Sequence, residues 1–256
     1  MADAPSPDLL AAAERGDAEA QNELGRFYGG LGSAAGAEMA ERWFQRAAEQ
    51  GLPKAMHNLG ILAHRAGRDG LAEKWLGAAV ERGWMNSAMA LGVILDATGR
   101  TEEAMGLYET AARKGNADAQ DLLGEKAFEL DCEEGYARSR LWSEHAAAQG
   151  NARSEMRLAT IYHEGLGVEA DAKRAVSLAL RAARSGHPGA RLFVAVAYEV
   201  GAGIEVDRVE SAFWYSLVAP GNEQARYMLE RLALSPDEQA SLELKLQQAT
   251  GNGSSF

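Results

Sequence analysis

The chain has 256 residues, 46% hydrophobic with only 6 prolines, a composition that supports a packed structure and favours helix. Its 37 acidic against 26 basic side chains give a formal charge of -11. With no run of lysine and arginine, that balance excludes the basic stripe that nucleic-acid phosphates demand and argues against docking on anionic membranes.

Cys132 is the only cysteine, so no intrachain disulfide can form, which fits a reducing compartment. The opening residues, Met1-Ala2-Asp3-Ala4-Pro5-Ser6-Pro7-Asp8, have neither a basic n-region nor an apolar core. No stretch approaches the roughly 18 apolar residues that span a bilayer. These features predict a cytoplasmic protein, with residues 1–7 disordered.

Residues Leu9 to Arg15, with the small pair Ala12-Ala13, predict a lone first helix. A frame then repeats. A glycine is followed nine positions later by glycine or alanine at Gly16/Gly25, Gly51/Gly60, Gly83/Gly92, Gly115/Gly124, Gly150/Ala159 and Gly186/Ala195, and a seventh copy begins at Gly221. Four residues after each opening glycine stands Ala20, Ala55, Ser87, Ala119, Ser154, Ala190 or Ala225. Eight residues after it stands Leu24, Leu59, Leu91, Leu123, Leu158, Val194 or Leu229. Late in the copies come Trp43, Trp75, Leu107, Trp142, Leu178 and Trp214, then small pairs such as Ala47-Ala48, Ala111-Ala112, Ala146-Ala147 and Ala182-Ala183.

Each copy reads as two helices. The opening glycine sits just past a helix end, where a left-handed conformation suits it. Asp17, Asn116, Asn151 and Asn222 follow as N-caps, and Pro53 and Pro188 fit a first helical turn. Such a pair cannot bury its apolar faces alone and must stack on its neighbours. The fold class is therefore all-α: stacked antiparallel helix pairs in an α-solenoid of about 15 helices. The expected organisation is a single solenoid over 8–249. Its copies lie near 17–51, 52–83, 84–115, 116–150, 151–186, 187–221 and 222–233. A capping helix over 236–249 is opened by Ser235-Pro236-Asp237-Glu238, and a disordered tail follows at 250–256.

Patterns for catalysis or metal binding are lacking. His57 and His64 lie seven apart, about 10 Å along one helix, too far to share a metal. No His-Glu-x-x-His, phosphate loop or nucleophile elbow occurs. Cys132 falls in an irregular loop. The equivalent placement of Trp43, Trp75, Trp142 and Trp214 predicts a packing role, with Trp84 outside that register. No catalytic, cofactor or metal residue is expected.

The repeat resembles the Sel1-like repeats, relatives of the tetratricopeptide repeats. The most specific match is Tyr162-His163-Glu164-Gly165-Leu166-Gly167-Val168-Glu169-Ala170-Asp171, followed by Ala175. Tyr198, Gly201-Ala202-Gly203-Ile204, Asp207 and Trp214-Tyr215 make a second copy. Tyr28, Gly30-Leu31-Gly32 and Trp43-Phe44 make a partial third. The copies from Gly51 and Gly83 lack the glycine loop and look closer to tetratricopeptide units, and the copy from Gly115 is degenerate.

The resemblance implies a right-handed superhelix, no enzymatic activity, and a scaffold or adaptor that binds a protein or peptide. In the resembled architecture the residues 6, 10 and 13 after the opening glycine face the groove. At 100° per residue they form one stripe. The groove residues so implied are Arg26, His57, Ile61, His64, Met89, Val93, Asp96, Asp121, Glu125, Phe128, Met156, Thr160, His163, Leu192, Val196, Glu199 and Tyr227. Apolar side chains amid acids suit an amphipathic helix or extended peptide carrying some basic residues. The competing expectation is that several of these residues pack inside the superhelix. The alternative functions are a dedicated regulatory or immunity-type protein that masks one partner, and an enzyme of hydrolase type. Cysteine-rich relatives associated with penicillin binding carry paired cysteines, which this chain lacks.

Overall fold

The computed structural model describes residues 4–251. Among them are fifteen α-helices and no strand, as the repeat frame predicts. They are α1 (Pro7–Glu14), α2 (Ala18–Gly29), α3 (Ala34–Glu49), α4 (Pro53–Arg65), α5 (Asp69–Glu81), α6 (Met85–Ala97), α7 (Thr101–Arg113), α8 (Ala117–Phe128), α9 (Glu133–Ala147), α10 (Ala152–Glu164), α11 (Ala172–Arg184), α12 (Pro188–Val200), α13 (Arg208–Val218), α14 (Glu223–Arg231) and α15 (Pro236–Gly251). The disorder expected at 1–7 and 250–256 falls largely outside the described residues. Of those stretches, Pro7 opens α1 and residues 250–251 close α15.

The chain divides into two compact bodies, with the boundary inside α8 between Ala119 and Gln120. In the N-terminal body each helix from α1 to α7 packs on the next in sequence. In the C-terminal body α9 to α13 do the same, and α14 and α15 both pack on α13. Leu242 and Leu246 of α15 join its core, while Leu244 stays exposed.

The opening glycines end one helix and start the next. Gly16, Gly51, Gly83, Gly115, Gly150 and Gly186 have φ between +84° and +100°, a region that a side chain makes costly. The residue after each glycine donates its N–H to the carbonyl five residues earlier, which in most copies is the first alanine of the small pair, as in Asp17 to Ala12 (3.1 Å), Leu52 to Ala47 (3.2 Å), Asn116 to Ala111 (3.0 Å) and His187 to Ala182 (3.0 Å). This is the Schellman closure, which satisfies an otherwise orphaned carbonyl. Asp17, Asn116, Asn151 and Asn222 then cap the next helix from their side chains, at 2.8, 2.9, 2.9 and 3.0 Å. His187 does the same through Nδ1, a cap the sequence reading missed. Gly221 departs from the frame. It ends a 3-10 turn over Ala219–Gly221, because Pro220 has no N–H with which to continue α13.

Inside each pair, the small residue nine after the start is a contact point. A Cβ on Gly25 would lie 2.5 Å from the Phe44 ring, and one on Gly60 would lie 2.6 Å from Leu76. The hydrogen atom of glycine thus lets the second helix seat a large side chain against the first helix's backbone. The residues four and eight after the start are buried in every copy except the last, where Leu229 is half-buried. The tryptophan position is less uniform. Trp43 and Trp214 are buried, whereas Trp75 and Trp142 are half-buried and Trp75 carries Lys74 over its ring at 5.1 Å.

The two glycine loops are built alike. Asp171 donates its backbone N–H to the Tyr162 carbonyl (2.8 Å) and caps α11, and Asp207 donates to Tyr198 (3.0 Å) and caps α13. The tyrosine and aspartate of the motif are therefore the two ends of one closed turn.

Candidate interaction face

The expected groove residues sit on the first helix of each pair. In the N-terminal body, His57 of α4 with Met89 and Val93 of α6 line a concavity of about 400 Å³. Asn86, Ala90, Asn116 and Asp118 complete it. The Asn116 side chain donates to Asn86 at 3.0 Å. His57 Nδ1 meets Ser87 Oγ at 3.0 Å, and burial lowers its pKa. Burial disfavours the charged imidazolium, so this wall is a neutral hydrogen-bonding group near neutral pH.

In the C-terminal body, Met156 and His163 of α10 and Leu192 and Val196 of α12 line a second concavity of about 480 Å³. Its other walls are Gly189, Phe193, Ala197, Val200 and Ala202, so it is almost wholly apolar. His163 stands edge-on to Phe193 with ring centroids 5.1 Å apart. Val196 and Val200 are 38% and 63% exposed, unusual for valines on one helix face. Four of the residues at offsets 6, 10 and 13 thus line this concavity. Gly189, Phe193 and Val200, at offsets 3, 7 and 14, line it too, so the concavity is broader than the three expected positions per helix.

The remaining expected residues have local tasks. Arg26 is exposed and paired with Glu23 at 3.1 Å. Ile61 is half-buried, and His64 Nδ1 lies 2.6 Å from Asp69. Asp96 accepts from the Tyr108 hydroxyl at 3.1 Å, and burial with this carboxylate partner pushes the Tyr108 pKa up to about 12. Glu125 is exposed, Phe128 packs edge-on against Tyr136 at 5.6 Å, and Thr160 Oγ1 donates to the Met156 carbonyl at 3.2 Å. Glu199 accepts from Tyr215 at 2.9 Å and pairs with Arg231. There too, burial ahead of the carboxylate contact raises the tyrosine pKa. Tyr227 is 63% exposed. Asp121 is different: it is 1% exposed and enclosed by Arg153, Ser154 and Arg157, so its carboxylate serves the interior.

Among the described residues, no cluster of three or more His, Cys, Asp or Glu side chains could hold a metal ion, and no helix is long and apolar enough to cross a membrane. Cys132 is exposed and caps α9, its Sγ accepting from Gly135 N–H at 3.4 Å.

Consecutive helix pairs joined by a shared glycine frame, with concavities on their first helices, define an all-α repeat protein of the solenoid class. The Sel1 repeat family matches residues 18–52, 53–83, 100–116, 152–187 and 188–219, more than half of the chain, and the chain belongs to that family. Residues 53–83, which lack the glycine loop, are matched as Sel1 all the same, while 117–151 are not matched.

Among solved structures, the chain is similar to c5321, a protective antigen present in uropathogenic Escherichia coli strains displaying an SLR fold. The identity is 29% and the TM-score 0.78 over 98% of this chain and 58% of that one. This chain thus spans less than two thirds of the antigen's length. It is also similar to a Sel1 repeat protein from Oxalobacter formigenes, at 26% identity and TM-score 0.60 over 87% of this chain and 67% of that one. A TPR repeat-containing protein from Cytophaga hutchinsonii shares the fold, at 15% identity and TM-score 0.51 over 85% and 90% of the two chains. No curated protein matches.

Proposed function

We propose that the protein is a non-catalytic interaction module that binds a partner protein or peptide along the first helices of its repeats. One observation carries the reading: Met156, Leu192, Phe193, Val196 and Val200 form an open apolar concavity of about 480 Å³. An apolar hollow with exposed valines is costly to leave in water and suits apolar anchor side chains. The formal charge of -11, with Asp118 exposed in the N-terminal concavity, favours basic residues beside those anchors. The lone cysteine is consistent with a cytoplasmic setting, which is part of the proposal.

The test is a double substitution, Val196→Asp with Val200→Asp, assayed against a partner identified by co-purification. Both positions are 38% or more exposed, so the fold should tolerate charge there. Binding should fall at least about tenfold, roughly 1.4 kcal/mol, with helicity retained. Leu141→Asp, at a 52% exposed site on α9, should leave binding unchanged. Loss of binding with Leu141→Asp alone would reverse the assignment of the face.

A further inference from the structure

One repeat of the C-terminal body is assembled differently from the others. Elsewhere the slot over the ninth-position glycine is filled by a large side chain of the second helix, as Phe44 fills it at Gly25 and Leu76 at Gly60. At Gly124 the second helix offers only Ser143. A Cβ on Gly124 would lie 2.8 Å from Ser143 Oγ and 3.1 Å from Arg157 Nη1. Arg157 belongs to α10, the first helix of the following repeat, and its side chain is only 11% exposed. Its guanidinium donates to Ser143 Oγ (3.2 Å) and pairs with Asp121 of α8 (3.0 Å). Asp121 also accepts from Ser154 Oγ (2.7 Å) and pairs with Arg153 (2.9 Å). Ser139 of α9 is fully buried, with a hydroxyl that has no partner. A carboxylate, two guanidiniums and the hydroxyls of Ser143 and Ser154 therefore meet among α8, α9 and α10. In α13 the fully buried Tyr215 stands where α9 has Ser143, among Val194, Phe213 and Trp214, although Ser211 is buried there as Ser139 is here and Arg181 of α11 pairs with the buried Glu155.

The energetic consequence follows from desolvation. Taking a carboxylate and a guanidinium out of water costs about as much as their attraction returns, whereas interdigitated apolar side chains add net stability. The pair holds a defined geometry but gives this repeat less net cohesion than a slot filled by a large apolar side chain, as at Gly25 and Gly60. Repeats are stabilised mainly through their immediate interfaces, so a weak interior stays local and does not unfold the whole stack.

We propose that the α8–α9 repeat is a built-in release point, held shut by the Asp121–Arg157 latch, which opens ahead of α11 to α13. The latch shares α10 with the apolar concavity, since Arg153, Ser154 and Arg157 alternate along that helix with Met156 and His163.

Hydrogen exchange of the full chain under native conditions, read by mass spectrometry, tests this directly. Amides of residues 120–147 should exchange at least about tenfold faster than those of α11 to α13. Equal protection of the two regions would overturn the proposal. Asp121→Asn, which keeps the shape and removes the charge, should accelerate exchange in 120–147 severalfold and leave α12 and α13 unchanged. Unchanged exchange in that variant would show that the pair is not the latch. Combining Asp121→Asn with Ser143→Phe and Arg157→Leu, which reproduces the Gly25–Phe44 packing, should slow exchange in 120–147 below that of the unsubstituted chain. Exchange no slower than in the parent would overturn the account of the weakness.

Discussion

The Tyr108 ring of α7 lies directly on Gly92 of α6, so close that a Cβ on Gly92 would overlap the ring. The same ring sends its hydroxyl to Asp96, one turn along the same helix. Gly92→Ala must therefore displace Tyr108 and stretch that hydrogen bond. It should destabilise by about 1–3 kcal/mol. Gly106→Ala on α7 meets open space and should stabilise by about 0.5–1 kcal/mol through helix propensity. Urea denaturation of the two variants separates these opposite signs, and equal shifts would refute the contact reading.

Leu123 is 4% exposed at the leucine position shared by the repeats. Leu123→Ala should cost about 2–5 kcal/mol by thermal or urea unfolding, from lost transfer energy plus a cavity. A variant that melts with the parent would place Leu123 outside the core.

How much of this was legible in the sequence depends on where the constraint lies. The helix pairs were readable because glycine, cap and small-residue positions recur at fixed offsets, and each is tied to a backbone bond such as Asn151 to Ala146. The contact partner of the ninth-position glycine was not readable. Phe44 follows Gly25 by nineteen residues but Leu76 follows Gly60 by only sixteen, because the loop between helices varies in length. Met156, His163, Leu192 and Val196 were legible as one face from helical register. Phe193 and Val200 were not, since whether such residues pack inward depends on the angle between α10 and α12. Asp121 occupies a groove register yet is buried, because Arg153 and Arg157 of the next repeat's first helix reach across to it.

His57 contributes a pH dependence of known sign. Burial holds its folded-state pKa below the ordinary value near 6.5, so the folded chain binds the proton less tightly than the unfolded chain does. Its favourable contribution is complete above about pH 6.5 and is lost as pH falls through the lowered folded value. Between about pH 7.5 and about pH 5.5 the parent should lose more thermal stability than His57→Gln does. His187, also lowered by burial, is present in both chains and cancels. Parallel pH profiles would contradict the assignment.

Cys132 is exposed and acts as the N-cap of α9. A serine hydroxyl is a better cap acceptor than a thiol, so Cys132→Ser should match or exceed the parent by up to about 1 kcal/mol and bind the partner equally well. A loss of binding on this substitution would give the thiol a role that the structure does not supply.

The central claim is that the partner lies on the first helices of the repeats. A photo-reactive amino acid placed singly at Val93, Val200 and Leu141 measures this most directly, since all three side chains are more than half exposed. With the co-purified partner present, illumination should cross-link it to the chains labelled at Val200 and Val93 and not to the chain labelled at Leu141. Cross-linking from Leu141 with none from Val200 or Val93 would contradict the claim.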